Sequence, residues 1–459
     1  MNESTTGGWQ RQYSPTASLA ALGVHLERLD LFGAVRQRVC IAQKTVRHQP
    51  SDKLYDAFIT LLAGGRGLVE INSRLRGDAA LQSAFGRSAC AEQSVVQDTL
   101  NACNAENVQQ MEAAVCQIFR QQSQAVRHDY ASYLLLDVDL TGLPCGPKAA
   151  FATKGYFAKQ RGRRGRQLGR VLASPYQEVV VDQVFPGNTA LALVFQGLME
   201  ATEQVLQLDA DKRQRTILRM DAGGGTLKAL NWALERGYHI HGKDFTLSRV
   251  RQLVGKVSQW QDDPRVTGRQ VAWVTEPTDL YVRPVRRIAV RRPRRDGKYS
   301  VGVIVSSLSA GEVLAQSGGP PEPLASEQDK LLAHVYFYDQ RGGGVETAIK
   351  SDKQGLGLTK RNKKRFEAQQ MVVLLAQLAH NTLIWAKRWL AGSQPRLSPY
   401  GLARLVRDLL HVAGFVEHDA QRHVSRILLN QAAPAAAPLA AALQALLAPA
   451  HVDVILGQT

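Results

Sequence analysis

Residues 133–140 read Tyr-Leu-Leu-Leu-Asp-Val-Asp-Leu, an apolar run interrupted by two aspartates. Short apolar runs of this kind predict β-strands, and similar runs follow at 177–184 and 216–220. Patterns with the 3.6-residue period of a helix lie between and after them, at 190–206 and 226–236. This alternation of strands and helices predicts a mixed α/β domain.

The segment before this alternation, residues 1–130, follows helical periodicity. A helix that contains Leu54 is predicted to stop at the glycines 64–65, and short helices follow, with Ser94 as the N-cap of the last. Short helices joined by tight turns fit a helix-turn-helix-like DNA-binding region, and they fit equally a small bundle that makes no DNA contact.

The residues after this alternation of strands and helices have a different pattern. Residues 246–325 contain three strand-like runs, two of them joined by an Asp-Gly turn typical of hairpins. They predict a β-rich insertion. Helical periodicity returns at 326–395, and residues 396–459 predict a helical C-terminal tail. Residues 131–245 and 326–395 together are then the α/β core, which the insertion interrupts.

Acidic side chains come at the predicted ends of two strands. Asp137 and Asp139 lie two residues apart on one strand, so their side chains point to the same face, and Asp221 directly follows another strand. Ligand chemistry gathers at strand ends in open α/β sheets, and carboxylate oxygens suit Mg²⁺. Acids at strand ends are also common as solvated turn residues, and the pattern leaves both interpretations open.

Several function classes lack their sequence patterns. The glycines 223–225 do not have the spacing of a phosphate-binding P-loop, and no G-x-S-x-G marks a hydrolase nucleophile. Five dispersed cysteines without a Cys-x-x-Cys pair disfavour a disulfide framework and a zinc finger. The polar start of the chain and the polar residues within the apolar stretch 371–390 predict neither a secretory signal nor a membrane span. His239 and His241 have no neighbouring ligand cluster and are predicted to be structural.

The charge balance is strongly basic. Lys and Arg number 57 and Asp and Glu number 40, which gives a formal net charge of +17 and favours a polyanionic partner such as nucleic acid. Much of the excess lies in three clusters at 154–170, 283–298 and 360–365. Each cluster fits a solvated face, but three of them together favour contacts with DNA phosphates. The candidate contacts are Arg161, Arg163, Arg164, Arg166, Arg291, Arg292, Lys360, Arg361, Lys363 and Lys364.

One further stretch combines an acid with cations at fixed spacing. From Tyr338 the chain reads Tyr-Asp-Gln-Arg-Gly-Gly-Gly-Val-Glu-Thr-Ala-Ile-Lys-Ser-Asp-Lys. On a helix, Glu346, Lys350 and Lys353 lie at i, i+4 and i+7 and share one face. An acid that holds a metal ion would then lie beside cations that hold phosphates. A surface ion pair on a helix has the same pattern.

This stretch resembles the signature of the DDE transposases of bacterial insertion sequences, in the group whose last acid lies in a Tyr-Arg-Glu-Lys pattern. Tyr338 and Arg341 have the two intervening residues of the family, and Glu346 and Lys353 have its six. Four residues separate Arg341 from Glu346 where the family has three. A glycine run can absorb the additional residue.

Other stretches carry the same resemblance. Asp139-Leu140-Thr141 resembles the Asp-x-Thr that follows the first strand in this family, and Asp221-Ala222-Gly223 resembles its second acid. The Pro-Gly-Asn-Thr sequence at 186–189 and the long gap before Glu346 resemble the turn and the β-rich insertion of the family. The resemblance favours Asp139 as the first acid, with Asp137 as the alternative.

The resemblance implies an RNase H-like fold in which Asp139, Asp221 and Glu346 bind two Mg²⁺ ions, which Mn²⁺ can replace. It implies a polynucleotidyl transferase that cleaves DNA at the ends of its element and joins the freed 3′-hydroxyl to target DNA. Tyr338, Arg341 and Lys353 would contact phosphates near the cut. The alternatives are an RNase H-like nuclease or resolvase without strand transfer, and a DNA-binding regulator without catalysis.

The expected partners and location follow from the same resemblance. The partners are double-stranded DNA, as terminal inverted repeats and as target, and a second copy of the chain in the DNA complex. The expected location is the cytoplasm, in association with the nucleoid and without a membrane contact.

Overall fold

The computed structural model describes residues 10–44, 47–157, 160 and 162–458. They divide into two compact units. The first contains the described residues up to Ser123, Leu143–Ala152 and the residues from Lys350 onward, and the second contains Gln124–Gly142 and Thr153–Ile349. This grouping differs from the four predicted segments, because the N-terminal region and the C-terminal part of the chain belong to one unit.

Strands and helices alternate along most of the described chain. Its strands are β1 (Gln10–Ser14), β2 (Leu134–Pro144), β3 (Thr153–Lys154), β4 (Arg164–Ala173), β5 (Glu178–Pro186), β6 (Thr216–Met220), β7 (His239–Lys243), β8 (Gln261–Asp262), β9 (Gln270–Trp273), β10 (Arg286–Pro293), β11 (Tyr299–Ser306), β12 (Gly414–His418), β13 (Val424–Asn430) and β14 (Asp453–Gly457). Its α-helices are α1 (Ala17–Arg28), α2 (Gly33–Arg38), α3 (Pro50–Leu62), α4 (Ala79–Ala84), α5 (Gln93–Ala102), α6 (Ala105–Gln122), α7 (Leu191–Leu206), α8 (Ala210–Gln214), α9 (Leu227–Glu235), α10 (Leu247–Gly255), α11 (Ala310–Ser317), α12 (Glu327–Arg341), α13 (Thr347–Gln354), α14 (Phe366–Ser393), α15 (Leu402–Arg404) and α16 (Ala436–Leu447).

The larger sheet positions Asp139 and Asp221. Its strand order is β3-β4-β2-β6-β7-β11-β10-β9-β8, with β5 paired to β4. Strands β2, β6 and β7 run parallel, so their carboxyl ends lie at the same edge. The strands of the predicted β-rich insertion continue this sheet, because β11 pairs antiparallel with β7. The mixed α/β prediction is confirmed.

Helix α12 covers one face of this sheet. It begins at a capping box, in which Ser326 and Asp329 bond each other's backbone amides. Its residue Phe337 is fully buried in a cluster with Ile217 of β6, and Leu331 is buried in a neighbouring cluster with residues of β9 to β11. Burying each such side chain contributes about 1.5–3 kcal/mol, which holds the C-terminal end of α12 over the strand ends.

Most local predictions in the α/β region agree with the structure, and three others are wrong. The helices predicted at 190–206 and 226–236 are α7 and α9, and α3 ends before Gly64 as expected. Ser94 is not an N-cap, because α5 begins at Gln93 with Glu92 as its cap residue. Asp139 is not at the end of its strand, because β2 continues to Pro144.

The third wrong prediction is the helical C-terminal tail. Strands β12, β13 and β14 form a second sheet with β1, in the order β1-β12-β13-β14. Buried and less buried residues alternate along β12, which is the period of a strand and not of a helix. The alanine-rich helix α16 lies between β13 and β14 and obscures this period in the sequence. No helix in the described part of the chain has the length and apolar content needed to cross a membrane.

Candidate active site at the carboxyl edge of the central strands

Three side chains lie in one row at the edge where β6 and β7 end, while β2 continues beyond this row to Pro144. The parallel register pairs the residue before Asp139 with the residue before Asp221, and that residue with the one before Lys243. Paired residues of neighbouring strands point to the same face of a sheet. Asp139, Asp221 and Lys243 are therefore neighbours at this edge, on the side that α12 covers.

The preceding row of the same register consists of Asp137, Arg219 and His241. The buried carboxylate of Asp137 accepts hydrogen bonds from Arg219 Nε at 2.7 Å and Nη2 at 3.0 Å, and from the hydroxyl of Ser174. Both carboxylate oxygens are thus engaged inside the protein. His241 is buried and bonds the hydroxyl of Ser306 and the carbonyl of His334, which confirms its predicted structural role.

Arg341, the last residue of α12, lies between two of the predicted acids. Its Nη2 is 3.3 Å from Asp139 Oδ1 and its Nη1 is 2.9 Å from Glu346 Oε1. Nη2 also donates to the carbonyl of Val138 at 3.2 Å. Only 3% of the side chain is exposed. Burial by itself lowers the pKa of Arg341, but the neighbouring acids raise it above its usual value, so the guanidinium remains a cation.

The additional residue between Arg341 and Glu346 is accommodated by a wide helical turn, Gly342–Glu346. In such a π-helical turn the bonds join residues five apart, which brings these two side chains together. Gly344 leaves helical geometry there, with φ −86° and ψ −108°. A Cβ atom on Gly344 would lie 2.4 Å from Asp137 Oδ2, so the turn requires glycine at this position.

The carboxyl group of Asp139 has an unusual affinity for protons. Burial raises its pKa from 3.8 to about 6; the charge of Arg341 opposes this rise, and the charges of Asp221 and Glu346 add to it. Asp221 and Glu346 are therefore both within electrostatic reach of Asp139. Asp221 accepts a hydrogen bond from the amide of Gly223 at 2.8 Å, and the side chain of Glu346 is 58% exposed.

The chemistry of these donors suits Mg²⁺, although they do not form a closed cluster. In the described ranges, no three His, Cys, Asp or Glu side chains come together as a metal-binding group. Asp139 and Asp221 present carboxylates from neighbouring strands, and the guanidinium of Arg341 occupies a cation position between Asp139 and Glu346. Hard divalent cations prefer such oxygen ligands, so the acids fit the ion and Arg341 takes the place of a cation among them.

Lys243 is the residue of this edge that the sequence patterns did not single out. Its Nζ lies 4.5 Å from the centre of the Tyr338 ring, and Tyr338 is three residues before Arg341 on α12. Burial lowers the pKa of Lys243 and raises the pKa of Tyr338. In the sequence, the only indication of its position is that it ends the strand after Asp221. The sequence does not show how that strand aligns with its neighbours.

The predicted phosphate contacts differ in their exposure. Those with exposed side chains are Arg163, Arg164, Arg292, Lys350, Lys360 and Lys364. Lys353 is partly exposed on α13. Arg291 is partly buried between the rings of Trp260 and Tyr299, at 4.1 and 4.8 Å from their centres. Arg161 lies outside the described residues.

Three of the predicted phosphate contacts are buried, in addition to Arg341. Arg166 is 1% exposed on β4. Arg361 donates to the carbonyl of Gly65, and Lys363 donates to Gln97 at 2.7 Å. Burial lowers the pKa of Arg361 to about 9 and that of Lys363 to about 8. In this conformation these side chains are enclosed by the protein and are not exposed to a DNA strand.

Comparison with known proteins gives a matching family model, and the matching solved structures include a transposase complex. A family model described as Transposase DDE domain group 1 matches residues 185–450, a range that includes Asp221 and Glu346 and begins after Asp139. No curated protein matches the chain. The cryo-EM structure of a piggyBac transposase synaptic complex with hairpin DNA has 10% sequence identity and a TM-score of 0.44, over 87% of this chain and 82% of that chain.

Proposed function

Because the chain belongs to the family Transposase DDE domain group 1, we propose that it is a DNA transposase whose catalytic acids are Asp139, Asp221 and Glu346. The observation that carries the proposal is the register that places Asp139 beside Asp221, together with Arg341 between Asp139 and Glu346. The central strands of the large sheet and α12 are the proposed RNase H-like core, and β8–β11 are its insertion.

The proposed reaction has two steps at one site. In the first, water attacks a phosphodiester at the end of the element, and the 3′ oxygen leaves as a hydroxyl group. In the second, this 3′-hydroxyl attacks a phosphodiester of target DNA, and the target's own 3′ oxygen leaves. The three acids would hold two Mg²⁺ ions, or Mn²⁺, which supply Lewis-acid charge to the attacking and leaving oxygens when bound. Phosphoryl transfer of this kind depends on positioning and charge stabilisation.

Arg341 has two successive roles in this proposal. Close carboxylates repel one another, and the guanidinium offsets this repulsion between Asp139 and Glu346 before a metal ion arrives. In its second role the guanidinium would contact a DNA phosphate near the cut, for which its two parallel N–H groups are well suited. Tyr338 and Lys353 are the further proposed contacts near the cut.

The exposed basic residues of each unit are the proposed contacts with double-stranded DNA, and together they are called the DNA track. Arg163, Arg164 and Arg292 lie on the large sheet and its loops, and Lys350, Lys360 and Lys364 follow in the chain. Their charges would bind terminal inverted repeats and target DNA through the phosphates. A dimer in the DNA complex and a place in the cytoplasm with the nucleoid complete the proposal.

The test uses a supercoiled plasmid that carries the DNA flanking the encoding gene, incubated with the protein and Mg²⁺. Excision followed by joining supports a transposase; nicking without joining supports a nuclease or resolvase, and binding without cleavage supports a regulator. Asp139→Asn, Asp221→Asn and Glu346→Gln are expected to abolish cleavage and to retain DNA binding. Full cleavage by any of the three variants contradicts the assigned site.

A further inference from the structure

Lys243 lacks an anionic partner at the edge that holds the acids. It is partly buried at the end of β7, and its side-chain carbons lie near the backbone of Gly302 on β11. Its ammonium contacts the face of Tyr338. Within the described part of the chain it has no hydrogen-bond or ion-pair partner.

This arrangement leaves a cation incompletely compensated. Withdrawal from water disfavours a charged ammonium group, and one contact with an aromatic face returns about 0.5–2 kcal/mol. The acids Asp339 and Asp221 favour the charge from a distance, while Arg341 and Arg269 oppose it. An anion that arrives at Nζ would therefore be bound more strongly than one at a fully solvated lysine.

The register also fixes where such an anion would lie. Arg341 is on the Asp139 side of the row, and Lys243 is on the far side of Asp221. At a strand spacing of about 4.8 Å, the midpoint between β2 and β6 lies about 7 Å from β7. This is close to the distance from one phosphate to the next along a DNA strand.

We infer that Lys243 binds the DNA phosphate next to the one that is cleaved. The inference rests on the proposed function, in which the cleaved phosphate lies between Asp139 and Asp221. Lys243 is thus a positioning residue: it holds the strand across the acids and takes no part in proton or phosphoryl transfer. An ion pair with Asp221 is the other use for a lysine here, and the structure contains no such contact.

The test uses Lys243→Met, which keeps an apolar stem against Tyr338 and removes the charge, and Lys243→Arg, which keeps the charge. Lys212→Met is the matched control, because Lys212 also lies over a tyrosine, with its Nζ 5.8 Å from the centre of the Tyr130 ring, but on α8 before the amino end of β6. Binding is measured with Ca²⁺ on a duplex of the element end. One duplex is native, and two carry a neutral methylphosphonate at one or the other phosphate that neighbours the cut.

Lys243→Met is expected to bind the native duplex about tenfold to a hundredfold more weakly, as for the loss of one charged hydrogen bond. The slope of log affinity against log salt should fall by about 0.9, the value of one phosphate contact. One methylphosphonate should weaken binding by the wild type and not weaken Lys243→Met further. Lys243→Arg and Lys212→Met should keep the wild-type affinity and slope.

The inference is overturned if both methylphosphonates weaken the wild type and Lys243→Met equally, or if the salt slope of Lys243→Met is unchanged. If Lys243→Met does not fold, binding of the wild-type protein to the two methylphosphonate duplexes remains decisive. Unchanged affinity for both duplexes excludes the proposed contact. If the wild-type protein neither binds nor cleaves the native duplex, the proposed function fails instead, and Lys243 is not the cause.

Discussion

Asp137 and Asp139 lie two residues apart on β2, and asparagine at the two positions should have opposite effects on stability. Asp137 is fully buried and forms a bidentate ion pair with Arg219, whose side chain is 2% exposed. Asp139 is 16% exposed, and its pKa is raised to about 6, chiefly by burial. The carboxylate of Asp137 accepts a hydrogen bond from the guanidinium of Arg219 on each oxygen, whereas burial disfavours the negative charge of Asp139.

The magnitude at Asp137 follows from the partner left behind. Asp137→Asn leaves the buried guanidinium of Arg219 without a counter-charge, and breaking one side of a buried ion pair costs about 3–5 kcal/mol. Removing both charges should recover part of this loss, because the paired desolvation disappears. The double variant Asp137→Asn with Arg219→Met should therefore be more stable than the sum of the two single changes.

Asp139→Asn should have the opposite effect on the free energy of unfolding. A carboxyl group whose pKa is raised in the folded state binds its proton more tightly there than in the unfolded chain, so ionisation lowers the free energy of unfolding. A rise from 3.8 to about 6 corresponds to about 3 kcal/mol as an upper limit. Without divalent ions, Asp139→Asn should therefore stabilise the protein at pH 8. This gain should shrink between about pH 6 and pH 4 and vanish below.

The assay is urea unfolding followed by circular dichroism, at pH 8 and at pH 4, with plasmid cleavage measured in parallel. Asp139→Asn should lose cleavage while gaining stability, and Asp137→Asn should lose stability at pH 8. Equal destabilisation by the two variants at pH 8, or a loss below about 1 kcal/mol for Asp137→Asn, would refute the distinction between a structural and a catalytic acid.

Three further predictions concern the same region and the DNA track. Gly344→Ala should lower the free energy of unfolding by about 1–3 kcal/mol through overpacking and impair cleavage. Gly343→Ala is the control, because its added carbon meets nothing within 4 Å, and it should leave the melting temperature unchanged. Equal melting temperatures of the two variants in thermal unfolding would contradict the close contact at Gly344. Arg341→Met removes a charge that lowers the pKa of Asp139, so that pKa should rise above about 6 in an NMR titration of the carboxyl group, and a fall would contradict the ion pair. Arg163→Gln with Arg164→Gln should reduce the salt slope of DNA binding by about 1.8, for two phosphates; titrations that show no change in slope exclude these side chains from the track.

Much of the α/β region was predictable because its signals are local. The apolar run before Asp139 and the run before Asp221 are short, continuous and bounded, which is typical of buried parallel strands. Helices α7 and α9 have one apolar face. The spacing from Tyr338 to Lys353 also lies within a few turns of chain, so its resemblance to a transposase signature required no knowledge of the tertiary fold.

Other features depend on contacts between distant parts of the chain. The second sheet joins β1 with strands more than 400 residues later, and nothing in residues 10–14 predicts those partners. The strands of the predicted β-rich insertion join the large sheet through β11, which pairs with β7. Arg164 and Arg166 lie two residues apart on β4 and so point to the same face of the sheet. Arg164, at the beginning of the strand, is exposed, whereas Arg166 is buried, and the sequence does not distinguish these two environments.

The sequence by itself determined the strongly basic charge, the strand-end acids, the last acid with its arginine, and the family that these residues resemble. Only the tertiary structure distinguishes the surroundings of Asp137 from those of Asp139, because Asp137 pairs with the buried Arg219 and Asp139 lies beside Arg341. It alone placed Lys243 in the row of the acids, because strand register is set by packing across the sheet. Composition and residue spacing determine the net charge and the periodicity of the secondary structure. The burial of a side chain and its hydrogen-bond partners are determined only when the chain folds.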